Sequence, residues 1–275
     1  MNMREGLLRT SVCVIVTLLC LTYLRDADTW LHLKTGELIW NQGIPNVDSF
    51  SYVITGRSWV TFEWLSQLIF FLLFKIGGPA LLISFVAAII ASAYWVLLGL
   101  NAGRGVFSAV IVFLCALGMR EWFVARPFIF DFAFLIVFLA MLWNISFDKP
   151  PKKFIWILPG LTILWQNLHG GAAILSPVLL TAAVAAQRWY RTAVDVEKWS
   201  KIILLCFAAL AINPHGLSVM AHFFKTVNFP LRDLIYEWHA PTHQFFGIYG
   251  AFLLLAVLAG MKNFSRKPFL TAWTL

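Results

Sequence analysis

The stretch LTYLRDADTWLHLKTGELIW, residues 21–40, decides how the chain is read. It ends an apolar run at Leu24 and then sets down Asp26, Asp28, His32 and Glu37 in quick succession. Around it the chain is 60% hydrophobic and only 12% charged, the composition of a protein that meets lipid more than water. The acidic cluster is therefore expected where the chain first emerges from a membrane.

Apolar runs at roughly 7–24, 79–100, 106–122, 128–147, 154–169, 171–187, 201–214 and 245–261 follow one another along the chain. A helix needs about 20 residues to cross the hydrocarbon layer. The expected fold is all-α: a polytopic membrane helical bundle of about eight transmembrane helices, with amphipathic helices in the first exoplasmic loop. One integral membrane domain accounts for 1–275 and leaves no separate soluble domain. The run 62–75 is short for a crossing and is expected to lie along the interface, broken from the next span by Gly77, Gly78 and Pro79. Gly170 and Gly171 divide 154–187 into two short spans that meet at His169.

Basic residues orient the bundle. Arg4 and Arg9 precede the first run as in a secretory signal, but Tyr23, Leu24 and Arg25 give no small-residue cleavage site, so an uncleaved first helix starting in the cytoplasm is expected. On that assignment most of the 21 basic residues face the cytoplasm, among them Arg104, Lys149, Lys152, Lys153 and Arg188. The acids gather outside, which satisfies the positive-inside rule and makes 25–64 the first exoplasmic loop and 214–243 a late one. The working face is then expected on the exoplasmic side of the membrane. The net charge of +8 then reflects orientation, and no separate basic surface remains for nucleic acid. Cys13, Cys20, Cys115 and Cys206 lie inside apolar runs without metal-ligand spacing, and are expected to be buried thiols.

Every histidine falls outside or at that boundary: His32, His169, His215, His222, His239 and His243. Asp28 is placed to cap a helix from Thr29 to about Asn41, with Gly43 ending it. Asp26 and Asp28 would stand at its positive end, with His32 one turn on. Such a cluster can hold a divalent cation, magnesium or manganese by its hard oxygen ligands, or take a proton from a substrate hydroxyl. It can equally be a helix cap with a solvated neighbour.

The order of features carries a resemblance. A first span, an acidic pair opening a helix, and then IPNVDSFSYVITGRSWVTFEWLSQLIFFLLFKIGG (residues 44–78) resemble the N-terminal module of the GT-C type membrane glycosyltransferases, the class of oligosaccharyltransferases, protein mannosyltransferases and lipid A aminoarabinose transferases. Asp26 or Asp28 matches the acidic position of that module, and Phe74, Gly77 and Gly78 match its turn before the second span. LWQNLHGGAAILSP (164–177) is similar to a turn where many of these enzymes carry Lys-Gly; here His169 replaces the lysine. Together with FEWLSQ, ARPFIFDF, INPHG and EWHAP, these motifs look like a group of bacterial multispan proteins with GT-C-like N-terminal halves, over nearly the whole chain. Family members often continue further, and Leu275 falls where another apolar stretch begins, so a shortened form is expected.

The resemblance implies a cell-envelope glycosyltransferase whose donor is a sugar on a polyprenyl phosphate, arriving from the surrounding lipid. Asp28 or Asp26 would be the catalytic carboxylate or a metal ligand. His32, Glu63, Arg126, His169, Trp238 and His239 are the expected substrate-binding residues, with Arg126 favoured among the cations Arg57, Arg120, Arg126, His169 and Arg232 for the departing phosphate. Asp131, one turn into a span, needs a partner, and Arg126 or Arg120 is expected to supply it. The late loop, with Tyr236, Trp238, His239 and His243, is expected to lie over the acidic site as a lid; Pro241 argues against a zinc pair. A secondary transporter and a non-catalytic scaffold are the competing classes. The first requires inverted repeats, which are not evident. The second requires that the aspartates be dispensable.

Overall fold

A computed structural model describes residues 3–52, 56–100, 105–146, 154–189, 195–230 and 234–235. Helices dominate: α1 (Met3–Cys20), α2 (Ala27–Gln42), α3 (Trp64–Leu100), α4 (Gly105–Gly118), α5 (Ile129–Ser146), α6 (Leu158–Leu168), α7 (Leu175–Trp189), α8 (Val196–Ala209) and α9 (Ser218–Val227). No strand occurs among the described residues, although Val47 and Ser58 form an isolated antiparallel bridge in the first long loop. The all-helical expectation holds. The apolar run 245–261 lies outside the described residues, as do Tyr236, Trp238, His239 and His243 of the late loop.

Two helical segments, Trp64–Leu100 and Ala172–Trp189, are long and apolar enough to cross a membrane; the apolar helices at Val106–Gly118, Ile129–Leu142 and Ile155–Leu168 are shorter. Polarity is distributed inside out. Leu7, Leu18, Phe107 and Leu204 are exposed, whereas Thr29, Thr35, Ser66, Thr162, Gln166 and Ser176 are fully buried. Thr29, Thr35, Ser66, Thr162 and Ser176 are hydrogen-bonded, whereas neither side-chain amide atom of Gln166 has a partner among the described residues; an apolar exterior suits contact with lipid.

Helix α8 packs on α6 and α7, while α1, α2, α4, α5 and α6 pack on α3. Its helical geometry breaks at Gly77 (φ −135°, ψ 16°) and Gly78 (φ 62°, ψ −158°), immediately before Pro79. The positive φ of Gly78 disfavours any side chain, and Pro79 has no N–H to continue the ladder. The break expected from the sequence is therefore present, but the arm before it is no free interfacial helix: it carries α2, with Ser66, Gln67 and Phe70 buried. The two backbones nearly touch. A Cβ on Gly36 would lie 2.1 Å from the Gln67 carbonyl oxygen, so only glycine permits this approach.

The second arm of α3 packs against α1, which buries Val12, Val16 and Cys20. At the far end Arg9 lies 3.9 Å over the Trp95 ring and donates to the Trp95 carbonyl. Of the cysteines, all four free, Cys13, Cys20 and Cys206 are buried as expected, but Cys115 is exposed on the apolar exterior of α4.

The chain reverses at His169–Gly171, as the glycine pair suggests. Gly171 has φ 95°, and across the reversal the hydroxyls of Thr162 and Ser176 are 2.9 Å apart. Gly170 donates its N–H to the Phe62 carbonyl at 3.0 Å, which brings the α6–α7 turn against the residues leading into α3. Gly216, with φ 55°, closes the turn Asn213–Gly216, whose Asn213 amide donates to the carbonyls of Leu210 and Gly216. That turn delivers α9 to the same region.

Candidate functional site

Helix α2 starts two residues earlier than the sequence suggests. Asp26, not Asp28, is the N-cap, and its Oδ1 accepts the Asp28 N–H at 2.9 Å. Asp28 falls in the first turn, where its charge still favours the helix N-terminus. Both carboxylates then meet one cation: Arg126 Nη1 is 3.5 Å from Asp26 Oδ2, and Nη2 is 2.7 Å from Asp28 Oδ2. The sequence offers Arg126 or Arg120 as the partner of Asp131; Arg126 instead bridges the α2 carboxylates, and Arg120 is exposed outside this arrangement.

The segment bearing Arg126 is held to the start of α2 by further bonds. Arg25 pairs with Glu121 at 2.8 Å, and the Thr29 hydroxyl donates to the Ala125 carbonyl at 3.3 Å. The Arg126 guanidinium also lies 5.5 Å from the Phe128 ring, so its fork is fixed on several sides. Its side chain is 19% exposed, while that of Asp28 is 48% exposed. Arg120 and Arg57 are exposed and outside this arrangement; Arg232 lies outside the described residues.

Behind this pair runs a ladder of alternating acids and imidazoles. Asp131 Oδ2 is 2.6 Å from His169 Nδ1, His169 Nε2 is 3.3 Å from Glu63 Oε1, and Glu63 Oε2 is 3.6 Å from His32 Nδ1. Trp165 fixes Asp131 from the other side by donating its indole N–H to Oδ1 at 2.7 Å. Gln67 reaches the His32 ring at 3.3 Å. Phe62 covers His169 and His222 with ring centroids 6.4 and 5.1 Å away, and His215 Nε2 accepts the Thr61 N–H at 3.1 Å.

The protonation states follow from these neighbours. Burial alone would lower the pKa of His169, which sits in the turn outside both flanking helices, but its hydrogen bonds to Asp131 and Glu63 prevail and hold it at about 10. It is a fixed imidazolium at neutral pH. Burial would raise Glu63, yet the hydrogen bond from His169 and the charges around it keep the carboxyl below its ordinary range. His32 is pushed down by burial despite Glu63 and Asp28, and so is neutral.

Among the expected site residues, Asp26, Asp28, His32, Glu63, Arg126 and His169 are thus brought together from four separate parts of the chain. Trp238 and His239 lie outside the described residues. Asp131 belongs to the ladder as the partner of His169. Gln67 and Trp165, which anchor the ladder at either end, fall inside the motifs FEWLSQ and LWQNLHGG, but an amide and an indole within apolar runs look like ordinary packing residues and are not among the expected site residues. Gln166, beside the turn, is fully buried and neither of its side-chain amide atoms has a partner among the described residues. Asn167 instead accepts from Trp64 Nε1 at 2.7 Å and donates to the carbonyls of Ile163 and Ile212, an interhelical tie.

A divalent cation does not fit this arrangement. One oxygen of Asp26 serves the α2 backbone, and the remaining contacts of Asp26 and Asp28 go to the Arg126 fork, which takes the place between them. Among the described residues no group of three or more His, Cys, Asp or Glu side chains is arranged to hold a metal ion. No step below is routed through magnesium or manganese.

An apolar groove of about 650 Å³ runs beside the cluster, lined by Leu21 to Leu24, Trp30, Pro79, Ala80, Ile83 and Ser84. A narrow cleft next to it shares Thr22, Tyr23, Leu24 and Ile83 and reaches Asp26. The chain matches no protein-family model, no curated protein and no solved structure.

Proposed function

We propose that the protein is an exoplasmic membrane glycosyltransferase that uses a sugar linked to a polyprenyl phosphate. The observation that carries this reading is the Arg126 fork, held between Asp26 and Asp28 where an apolar groove reaches the start of α2. A lipid-linked donor needs an apolar channel for its chain, a fixed cation at headgroup depth for its phosphate, and an accessible base beside that cation. The groove meets the start of α2 through a narrow cleft that Asp26 lines, and Asp26 is 3.5 Å from Arg126. The GT-C resemblance of the same residues points the same way.

In this reading α1, the second arm of α3, α4 to α8 and the run 245–261 are the spans, set in a bacterial inner membrane with the N-terminus in the cytoplasm. The donor chain lies in the groove and its phosphate meets Arg126. Asp28, the more exposed carboxylate, takes the proton from the acceptor hydroxyl. The acceptor oxygen bonds to the anomeric carbon as the bond from that carbon to the phosphate oxygen breaks. The electron pair leaves with polyprenyl phosphate, whose charge Arg126 stabilises. Asp26 holds Arg126 in register and caps α2.

The test is release of polyprenyl phosphate by purified protein in liposomes, offered a panel of sugars on polyprenyl phosphate and pyrophosphate with and without magnesium or manganese. Release that needs the protein supports the reading. Absence of release from every donor overturns it and favours a scaffold; sugar movement across the bilayer without bond cleavage would favour a transporter.

A further inference from the structure

Helix α9 presents three different sectors around its axis. The first packs on the bundle. Val219 is buried, a Cβ on Gly170 would lie 2.6 Å from its Cγ1, and a Cβ on Gly171 would lie 2.7 Å from the Phe223 ring. His222 stands 5.1 Å from Phe62 between ring centroids. Steps of three and four residues put Val219, His222 and Phe223 on one face, and that face is seated on the α6–α7 turn.

The second sector is apolar. Leu217, whose backbone is already helical, Met220, Phe224 and Val227 recur at steps of three and four, the spacing of a single stripe. Met220 packs at the edge of the core, but Leu217, Phe224 and Val227 are 66, 54 and 47% exposed. The third sector, Ser218, Ala221 and Lys225, is exposed and small or polar. Protein, an apolar phase and water are therefore each offered a separate face.

The surroundings of the stripe identify the apolar phase. Leu204, Leu205 and Phe207 on the outside of α8 and Ile212 in the turn after it are exposed as well, so exposed apolar side chains continue from α8 to the start of α9. In the orientation set by the basic residues, α8 runs outward from Lys198 and Lys201, which brings α9 to the exoplasmic surface. A protein partner fits less well: stable interfaces bury roughly 800 Å² a side from about 20–30 residues, and α9 has 10 residues.

We propose that α9 is an interfacial helix whose stripe of Leu217, Met220, Phe224 and Val227 lies in the exoplasmic leaflet, at the boundary of headgroups and acyl chains, with Lys225 towards the lipid phosphates. The proposal rests on the membrane placement given above and is independent of glycosyl transfer. Its consequence for the site is mechanical. Lipid holds α9 down on Gly170 and Gly171, and with it the contact of His222 with Phe62, the ring that covers His169.

The experiment uses the full chain in liposomes, with the exposed thiol Cys115 replaced by serine and that protein alone as the labelling blank. Leu204→Cys, Phe224→Cys, Lys225→Cys and Val227→Cys each carry a nitrobenzoxadiazole probe. Quenchers are lipids with a nitroxide on the acyl chain, either near the headgroup or deep in the bilayer, and iodide admitted to both sides. Nitroxide near the headgroup should cut emission at positions 224 and 227 at least about twofold, with iodide ineffective; position 225 should respond to iodide. Deep nitroxide should quench position 204. Quenching of 204 by lipid with 224 and 227 open to iodide would overturn the proposal and leave the membrane placement standing. Shielding of 224 and 227 from both quenchers would overturn it in favour of a second copy of the chain or another protein. If position 204 too feels no nitroxide, the membrane placement falls with the proposal.

A second comparison needs no probe. Phe224→Glu puts a charge in the stripe, whereas Ala221→Glu puts one in the polar sector, one turn before Lys225. Amide hydrogen exchange of the α9 peptide in liposomes should rise at least about fivefold in the first and stay at the wild-type rate in the second. Equal exchange in the two variants would overturn the proposal.

Discussion

His169 donates from Nδ1 to Asp131 at 2.6 Å, and that bond joins the turn between α6 and α7 to the first turn of α5. With Glu63 accepting on the other ring nitrogen, the imidazole is charged on both sides. The imidazole thus carries a lysine-like charge, although its two carboxylates turn that charge inward.

The pH dependence of stability follows. A histidine whose folded pKa is raised from 6.5 to about 10 stabilises fully below 6.5, and its contribution declines as pH rises through that interval and is lost above it. Glu63, lowered below its ordinary 4.5, acts in the opposite sense and loses its contribution as pH falls through the lowered value. Thermal unfolding in detergent should therefore be highest between roughly pH 4.5 and 6.5 and fall by several degrees towards pH 10. In His169→Gln the alkaline fall should be much reduced.

The close approach of α2 to α3 gives a second expectation. Gly36→Ala puts a methyl group against the Gln67 carbonyl, which must separate the helices at a cost of about 1–3 kcal/mol. Gly160→Ala, where a Cβ meets nothing within 4 Å, should be neutral or slightly stabilising. Comparing the two unfolding midpoints checks this directly.

Arg126 should not tolerate lysine. The fork spans Asp26 and Asp28 at once, and an ammonium cannot reproduce that planar geometry. Arg126→Lys should raise the donor KM on the order of tenfold to a hundredfold, measured by initial rates of polyprenyl phosphate release.

Asp26 and Asp28 should separate by phenotype. As the α2 cap, Asp26 can be replaced by asparagine with little loss of stability, while Asp26→Ala should cost about 1 kcal/mol. Asp28 makes no cap bond, but Asp28→Asn removes its ion pair with Arg126 and its charge in the first turn of α2, so the protein should stay folded with a midpoint lowered by the equivalent of about 0.5–1 kcal/mol. A loss from Asp26→Asn as large as that from Asp26→Ala would contradict the division of roles.

Much of the fold is legible in the sequence because its signals are local. Gly77-Gly78-Pro79 marks the break in α3, Gly170-Gly171 marks the reversal before α7, and the acidic start of α2 is read to within two residues. The cap was misplaced because Asp26 and Asp28 are both competent caps, and only the backbone geometry at Asp26 distinguishes them. The ladder was only partly legible. Glu63, His32 and His169 stand out as polar residues beside apolar runs, but their order depends on the lead-in to α3 meeting the α6–α7 turn through Gly170 and Phe62. That is a contact across more than a hundred residues, which no periodicity records. Pairing Asp131 with Arg126 or Arg120 fails for the same reason: sequence proximity favours it, but tertiary packing brings α2 to Arg126 and His169 to Asp131.

The central claim is that Asp28, beside the Arg126 fork, is the base that activates the acceptor. The most direct test is kcat/KM for polyprenyl phosphate release by Asp28→Asn against wild type, on whichever donor the panel selects, with the unfolding midpoint measured on the same preparations. The expected result is a fall of roughly 10²–10⁴-fold, the usual contribution of a positioned base, in a protein that still unfolds cooperatively. Turnover at the wild-type rate by a folded Asp28→Asn protein would contradict the account.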